Sequence, residues 1–71
     1  MLIADCIRDF LERYPGGITT DQAVMWCLQQ GCSFNTSDIN KSVSGQLSKM
    51  KSRGEINAYS NGRYGYIWKR M

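Results

Sequence analysis

Up to Gly54 the apolar residues of this chain recur every three to four positions, and beyond it they recur every second position. A period of ~3.6 marks amphipathic helices and a period of 2 marks strands, so a helical part is followed by a β part. Seventy-one residues make one domain, 1–71. At that size a core supplies only a few kcal/mol of net stability, so the fold must be small and regular.

Within the helical part, Leu2, Ile3, Cys6, Ile7, Phe10, Leu11 and Tyr14 place one apolar face on a helix over 2–14. Pro15-Gly16-Gly17 ends it, because the residue before a proline avoids the α region and two glycines follow. Ile18 stands alone between turn residues and supplies a short strand or a staple. Thr19 with Gln22 three positions on fits a capping box, which starts a second helix over about 20–30. Its face of Ala23, Val24, Trp26, Cys27 and Leu28 is broad, so Trp26 reads as core rather than as a binding platform. Gly31 is placed to end it, and Phe34 is expected to tuck beneath a third helix.

Asn35, Thr36 and Ser37 are three successive candidate caps for that third helix, over about 37–53. Ile39, Val43, Leu47 and Met50 form its apolar stripe, with Gln46 at the margin. Lys41, Ser44, Gly45, Ser48, Lys49 and Ser52 point the other way, and none is bulky or acidic. A face of lysines, hydroxyls and a glycine suits approach to a phosphate backbone; the competing reading is a solvated face with a poor helix former in it.

The β part consists of two runs, 55–60 and 63–69, joined at Asn61-Gly62, a strong hairpin signal. Two registers fit. A two-residue turn pairs Ile56 with Ile67 and puts Tyr64, Tyr66 and Trp68 on the face opposite Ile56. A three-residue loop with a bulge pairs Ile56 with Trp68 and brings the aromatics to the face of Ile56 and Ala58. The second is favoured, because it buries Trp68 and Tyr66 against the helices.

Charge divides with position. Residues 1–35 carry two basic and four acidic groups, a net −2, and residues 36–71 carry seven basic and two acidic, a net +5. A positive field gathers a polyanion only where it is not cancelled locally, so the second half is the one suited to nucleic acid. There is no histidine to activate a serine or cysteine nucleophile, and Gly16-Gly17 lacks the lysine and preceding strand of a phosphate loop, so no enzyme, cofactor or small-molecule substrate is expected. Cys6, Cys27 and Cys32 offer too few closely spaced ligands for structural zinc and are expected to be small apolar fillers in a reducing compartment. No apolar run approaches the ~20 residues that span a bilayer, so the expectation is a cytoplasmic protein with no membrane partner.

Three helices, the last basic on its outer side, then Gly-x-Ile and a hairpin: this order resembles the winged helix-turn-helix superfamily over nearly the whole chain. The most specific segment, V-S-G-Q-L-S-K-M-K-S-R-G-E-I, is similar to the recognition-helix pattern V-S-x-x-L-x-x-L-x-x-x-G-x-I, with Met50 in place of the second leucine. The run N-G-R-Y-G-Y-I-W looks like the wing. The resemblance implies an α+β fold of three helices with a C-terminal two-stranded β-hairpin wing, binding double-stranded DNA as a transcriptional regulator.

It further implies that Lys41, Ser44, Gln46, Ser48 and Lys49 face the major groove or its phosphates. Arg63 would reach the neighbouring groove or backbone, and Thr36 or Ser37 would offer helix N-terminal amides to a phosphate. With no arginine on the reading face, specificity rests on Gln46, Lys41 or Asn40 and on DNA shape. The link at 31–35 departs from the compact turn of a strict helix-turn-helix. So few phosphate contacts imply a homodimer or cooperative oligomer, and by analogy a regulator this small is of phage or mobile-element kind. The alternative is a winged helix that binds protein through the aromatic set Tyr59, Tyr64, Tyr66 and Trp68.

Overall fold

The helical period is realised three times. In the computed structural model, which describes residues 2–32, 38–63 and 65–71, α1 (Ile3–Arg13) buries Cys6, Ile7, Phe10 and Leu11. Helix α2 (Thr20–Gln29) buries Ala23, Val24 and Cys27, and α3 (Ile39–Ser52) buries Val43, Leu47 and Met50. Among the described residues the core holds no polar or charged side chain. Phe34 and the expected caps Thr36 and Ser37 lie outside the described residues, as does Tyr64.

Helix ends follow local chemistry. At the start of α2 the Gln22 amide donates to Thr19 Oγ1 at 3.1 Å and Gln22 Oε1 accepts from the Thr19 amide at 3.0 Å, the expected capping box. The cap of α3 is Asp38, which none of the expected candidates was: its carboxylate accepts from the Lys41 amide at 3.0 Å, and the helix begins at Ile39 rather than 37. A carboxylate both satisfies an orphan amide and favours the positive helix end. At the other ends, Gly31 (φ +69°) and Gly54 (φ +81°) close α2 and α3 alike. In each the residue after the glycine donates back five positions, Cys32 to Cys27 and Glu55 to Met50, while the glycine amide donates back three.

Three apolar side chains expected inside are not, the first being Leu2, which is exposed just before α1. Tyr14 falls one residue past α1 and is exposed, set edge-on to Phe10; Leu28 is exposed on α2. Trp26 is half-buried, with its ring stacked on Phe10 at 4.6 Å and the Arg13 guanidinium 5.5 Å from its centre.

The β part is a three-stranded antiparallel sheet in the order β1-β3-β2, formed by β1 (Ile18–Thr19), β2 (Ile56–Asn61) and β3 (Gly65–Arg70). Ile18 thus makes a strand, pairing with Trp68, so the sheet has one strand more than a hairpin alone. Neither expected register is formed. Ile56 stands opposite Arg70 and Ala58 opposite Trp68, two residues further along than the favoured bulged form. Because side chains alternate with period 2, a slip of two keeps every residue on its face, and Trp68 is buried as expected. Tyr66, opposite Ser60 beyond the helices, is 59% exposed and is not part of the core.

The three cysteines are not alike. Cys6 and Cys32 form a disulfide and Cys27 is a free buried thiol, which corrects the expectation of three independent fillers. Helix packing carries Cys6 to the end of α2, an approach that 26 residues of separation conceal. The inference of a reducing compartment therefore loses the support it drew from cysteine usage. Among the described residues no helix is long and apolar enough to cross a membrane.

Gly17 tests how closely the turn after α1 approaches the sheet. Its φ is +108°, and a Cβ there would overlap Ile67 Cγ2 and lie 3.2 Å from the Trp68 carbonyl oxygen, whereas a Cβ at Gly16 meets nothing within 4 Å. Gly17→Ala is expected to destabilise the fold by more than about 1 kcal/mol in urea denaturation. Gly16→Ala should lie well below that.

Candidate nucleic-acid interface

The buried stripe of α3 fixes what its other side presents. With Val43, Leu47 and Met50 inward, helical geometry puts Lys41, Gly45, Ser48 and Ser52 on the line most directly opposite the core. All four are exposed. Asn40, Ser44 and Lys51 flank this line on one side and Lys49 on the other, again exposed. Lys51 extends the row that starts at Asn40 and Ser44 and was absent from the expected set; the same periodicity points to it. Gln46 is half-buried at the margin of the stripe, so of the expected base-reading residues it is the one set furthest back. A Cβ at Gly45 would meet nothing within 4 Å, so packing within the chain does not require the glycine.

The acids of this half are engaged elsewhere. Asp38 caps α3, and Glu55 takes a two-pronged ion pair from Arg8 of α1, with Arg8 Nε to Oε2 and Nη2 to Oε1 both at 2.9 Å. Arg8 also donates to Asp5 Oδ1 at 3.0 Å. The Arg8 hydrogen bonds hold the Glu55 carboxyl below its usual 4.5, and the Arg8 guanidinium is raised in turn. Glu55 is thereby held toward α1, while the Asp38 carboxylate sits at the N-terminal end of α3 on the Lys41 amide. Lys41, Lys49, Lys51 and Arg53 are left exposed on or just beyond the helix.

On the hairpin, Arg63 is exposed in the turn between β2 and β3. Tyr59 pairs with Ile67 on the outer face of the sheet and carries the Lys69 ammonium 5.2 Å from its ring centre. Tyr66 and Trp68 lie on the inner face, the first exposed and the second buried. The aromatics are thus divided between two faces. Thr36 and Ser37, proposed phosphate ligands, are among the residues not described.

A second surface is formed by α1, β1 and α2. An open groove of about 510 Å³ is lined by Phe10, Tyr14, Ile18, Met25 and Trp26, with Asp21 at its edge. Comparison of the chain with protein-family models, with curated proteins and with solved structures finds no match. The assignment of function accordingly rests on the arrangement of side chains.

The Arg8–Glu55 pair joins α1 to the chain just before β2, and its contribution depends on pH. A carboxyl with a lowered folded-state pKa stabilises the fold above its unfolded value, and that contribution disappears as pH falls through the folded one. Glu55→Gln is expected to lower Tm modestly near pH 7. The gap from wild type should close as pH drops below 4.5 and narrow with added salt, as thermal melts across pH would record.

Proposed function

We propose that the chain is a small winged helix-turn-helix protein that binds double-stranded DNA and acts as a transcriptional regulator, with α3 in the major groove and the β2–β3 hairpin as the wing. The observation that carries this reading is the outer side of α3. Small and basic side chains line it opposite the core stripe, while both acids of that half of the chain are occupied in a cap and in an ion pair. A phosphate backbone needs close approach and positive charge, and the small side chains and exposed lysines of this side support that fit. Lys41, Lys49 and Lys51 bind phosphates; Asn40, Ser44 and Ser48 reach base edges or sugar oxygens; Arg63 contacts the flanking backbone or groove. Gln46 reads a base only from the edge of the contact. Two copies on adjacent sites compensate for the few contacts each can make.

A second reading, docking of a protein on the hairpin, draws on the exposure of Tyr59 and Tyr66. It is the weaker one, because Tyr59 and Tyr66 belong to opposite faces and Trp68 is committed to the core.

Selection from random duplex pools, followed by salt titration of the winner, tests partner class and specificity together. The logarithm of affinity is expected to fall linearly with the logarithm of salt concentration, with a slope of about 0.9 per phosphate contact. Lys49→Ala should weaken all duplexes alike and reduce that slope by about one. Gln46→Ala should instead alter preference at one base step. No duplex bound at low salt, or a salt-insensitive protein partner, refutes the DNA reading.

A further inference from the structure

The sulfur atoms of Cys6, Cys27 and Cys32 all lie within 4.8 Å of one another. Cys6 comes from the core face of α1, Cys27 from the last turns of α2, and Cys32 from the residue after the glycine that closes α2. The Cys32 amide donates to the Cys27 carbonyl at 3.1 Å, so the relation of those two is set by backbone geometry. Cys6 and Cys27 are wholly buried and Cys32 is 8% exposed, which makes Cys32 the least buried residue of the three. In the structure Cys6 and Cys32 are oxidised to a disulfide beside the free Cys27 thiol.

We propose that the reduced chain uses these three sulfurs as a closed, three-coordinate site for a trivalent thiophilic centre of the arsenic(III) type. The number of donors and the charge of the surroundings lead to this class. Metal–sulfur bonds of ~2.3 Å around one centre hold three sulfurs within about 4 Å of each other, so once the disulfide is reduced Cys6 and Cys32 separate from bonding distance while Cys27 closes from within 4.8 Å. Structural zinc takes four ligands, and among the described residues the cluster contains only the three cysteines. Among the described residues no buried basic group is present to offset residual charge in this apolar core. Three thiolates around a divalent ion keep one negative charge in this apolar core, and around a monovalent ion they keep two. Around a trivalent centre they keep none.

The chemistry balances without a change in the oxidation state of the centre. A phosphine and one water reduce the disulfide, giving the phosphine oxide and the Cys6 and Cys32 thiols. Arsenous acid then exchanges its three hydroxyls for three sulfurs, each thiol proton leaving with a hydroxyl as water. The disulfide and the loaded site exclude each other, because they share two sulfurs.

The full chain, reduced with a phosphine and titrated with arsenite at neutral pH, tests the proposal by mass spectrometry, thiol alkylation and thermal melting. One arsenic per chain, protection of all three thiols and a raised Tm are expected, with no uptake by the oxidised chain. Zinc(II) should bind at least about a hundredfold more weakly, since it leaves a buried charge uncompensated. Cys27→Ala should lower arsenite affinity by removing one bond. If that variant does not fold, the alkylation count on the unaltered chain decides. No adduct, an adduct that leaves one thiol open to alkylation, equal uptake by the oxidised chain, or tighter binding of zinc(II) would each overturn the assignment.

Discussion

Trp68 is the joint on which the arrangement turns. It is the residue of the central strand that stands opposite Ile18 on one side and Ala58 on the other, and its indole N–H donates to Thr20 Oγ1 at the first residue of α2. Burying so large a ring contributes on the order of 2 kcal/mol or more from apolar area, and the hydrogen bond removes the cost of its one polar atom. The direction in which the sheet leaves the helices, and hence where the hairpin stands beside α3, follows from that seat.

How much of this could be read from residues alone depended on the kind of order involved. Period and capping are local, so α1, α2 and the stripe of α3 were legible, while the lone Ile18 could be read as a strand or a staple and the sheet makes it a strand. Strand alternation determines a face but is blind to a slip of two, which is why Trp68 was placed inward while its partner was given as Ile56 instead of Ala58. Asp38 was overlooked because three good caps precede it, and a cap is chosen by where the chain enters the helix. The exposure of Tyr14 and Leu28 has a different cause: α1 and α2 carry more apolar surface than a domain of this size can enclose.

The candidate interface was legible in outline and not in detail. Spacing alone separates the inner from the outer side of α3, and it places Lys41, Ser44, Ser48 and Lys49 correctly on the outside. It does not reveal that Glu55 is taken up by Arg8 from the other half of the chain, an ion pair spanning 47 positions. The same blindness to distance hid the meeting of Cys6 with Cys27 and Cys32. Charges and sulfurs that look unpaired along the chain find their partners through helix packing.

Side-chain bonds grip the hairpin near its root. Arg8 holds the chain where β2 begins, and Thr20 holds Trp68 near the end of β3, while the turn at 62–63 and Tyr66 lie out in solvent. It therefore behaves as a cantilever with its seated end in the core. A ribbon of this kind can be lengthened, shortened or recharged at the tip while the domain beneath stays as it is, so reach and affinity can diverge between variants that share one scaffold.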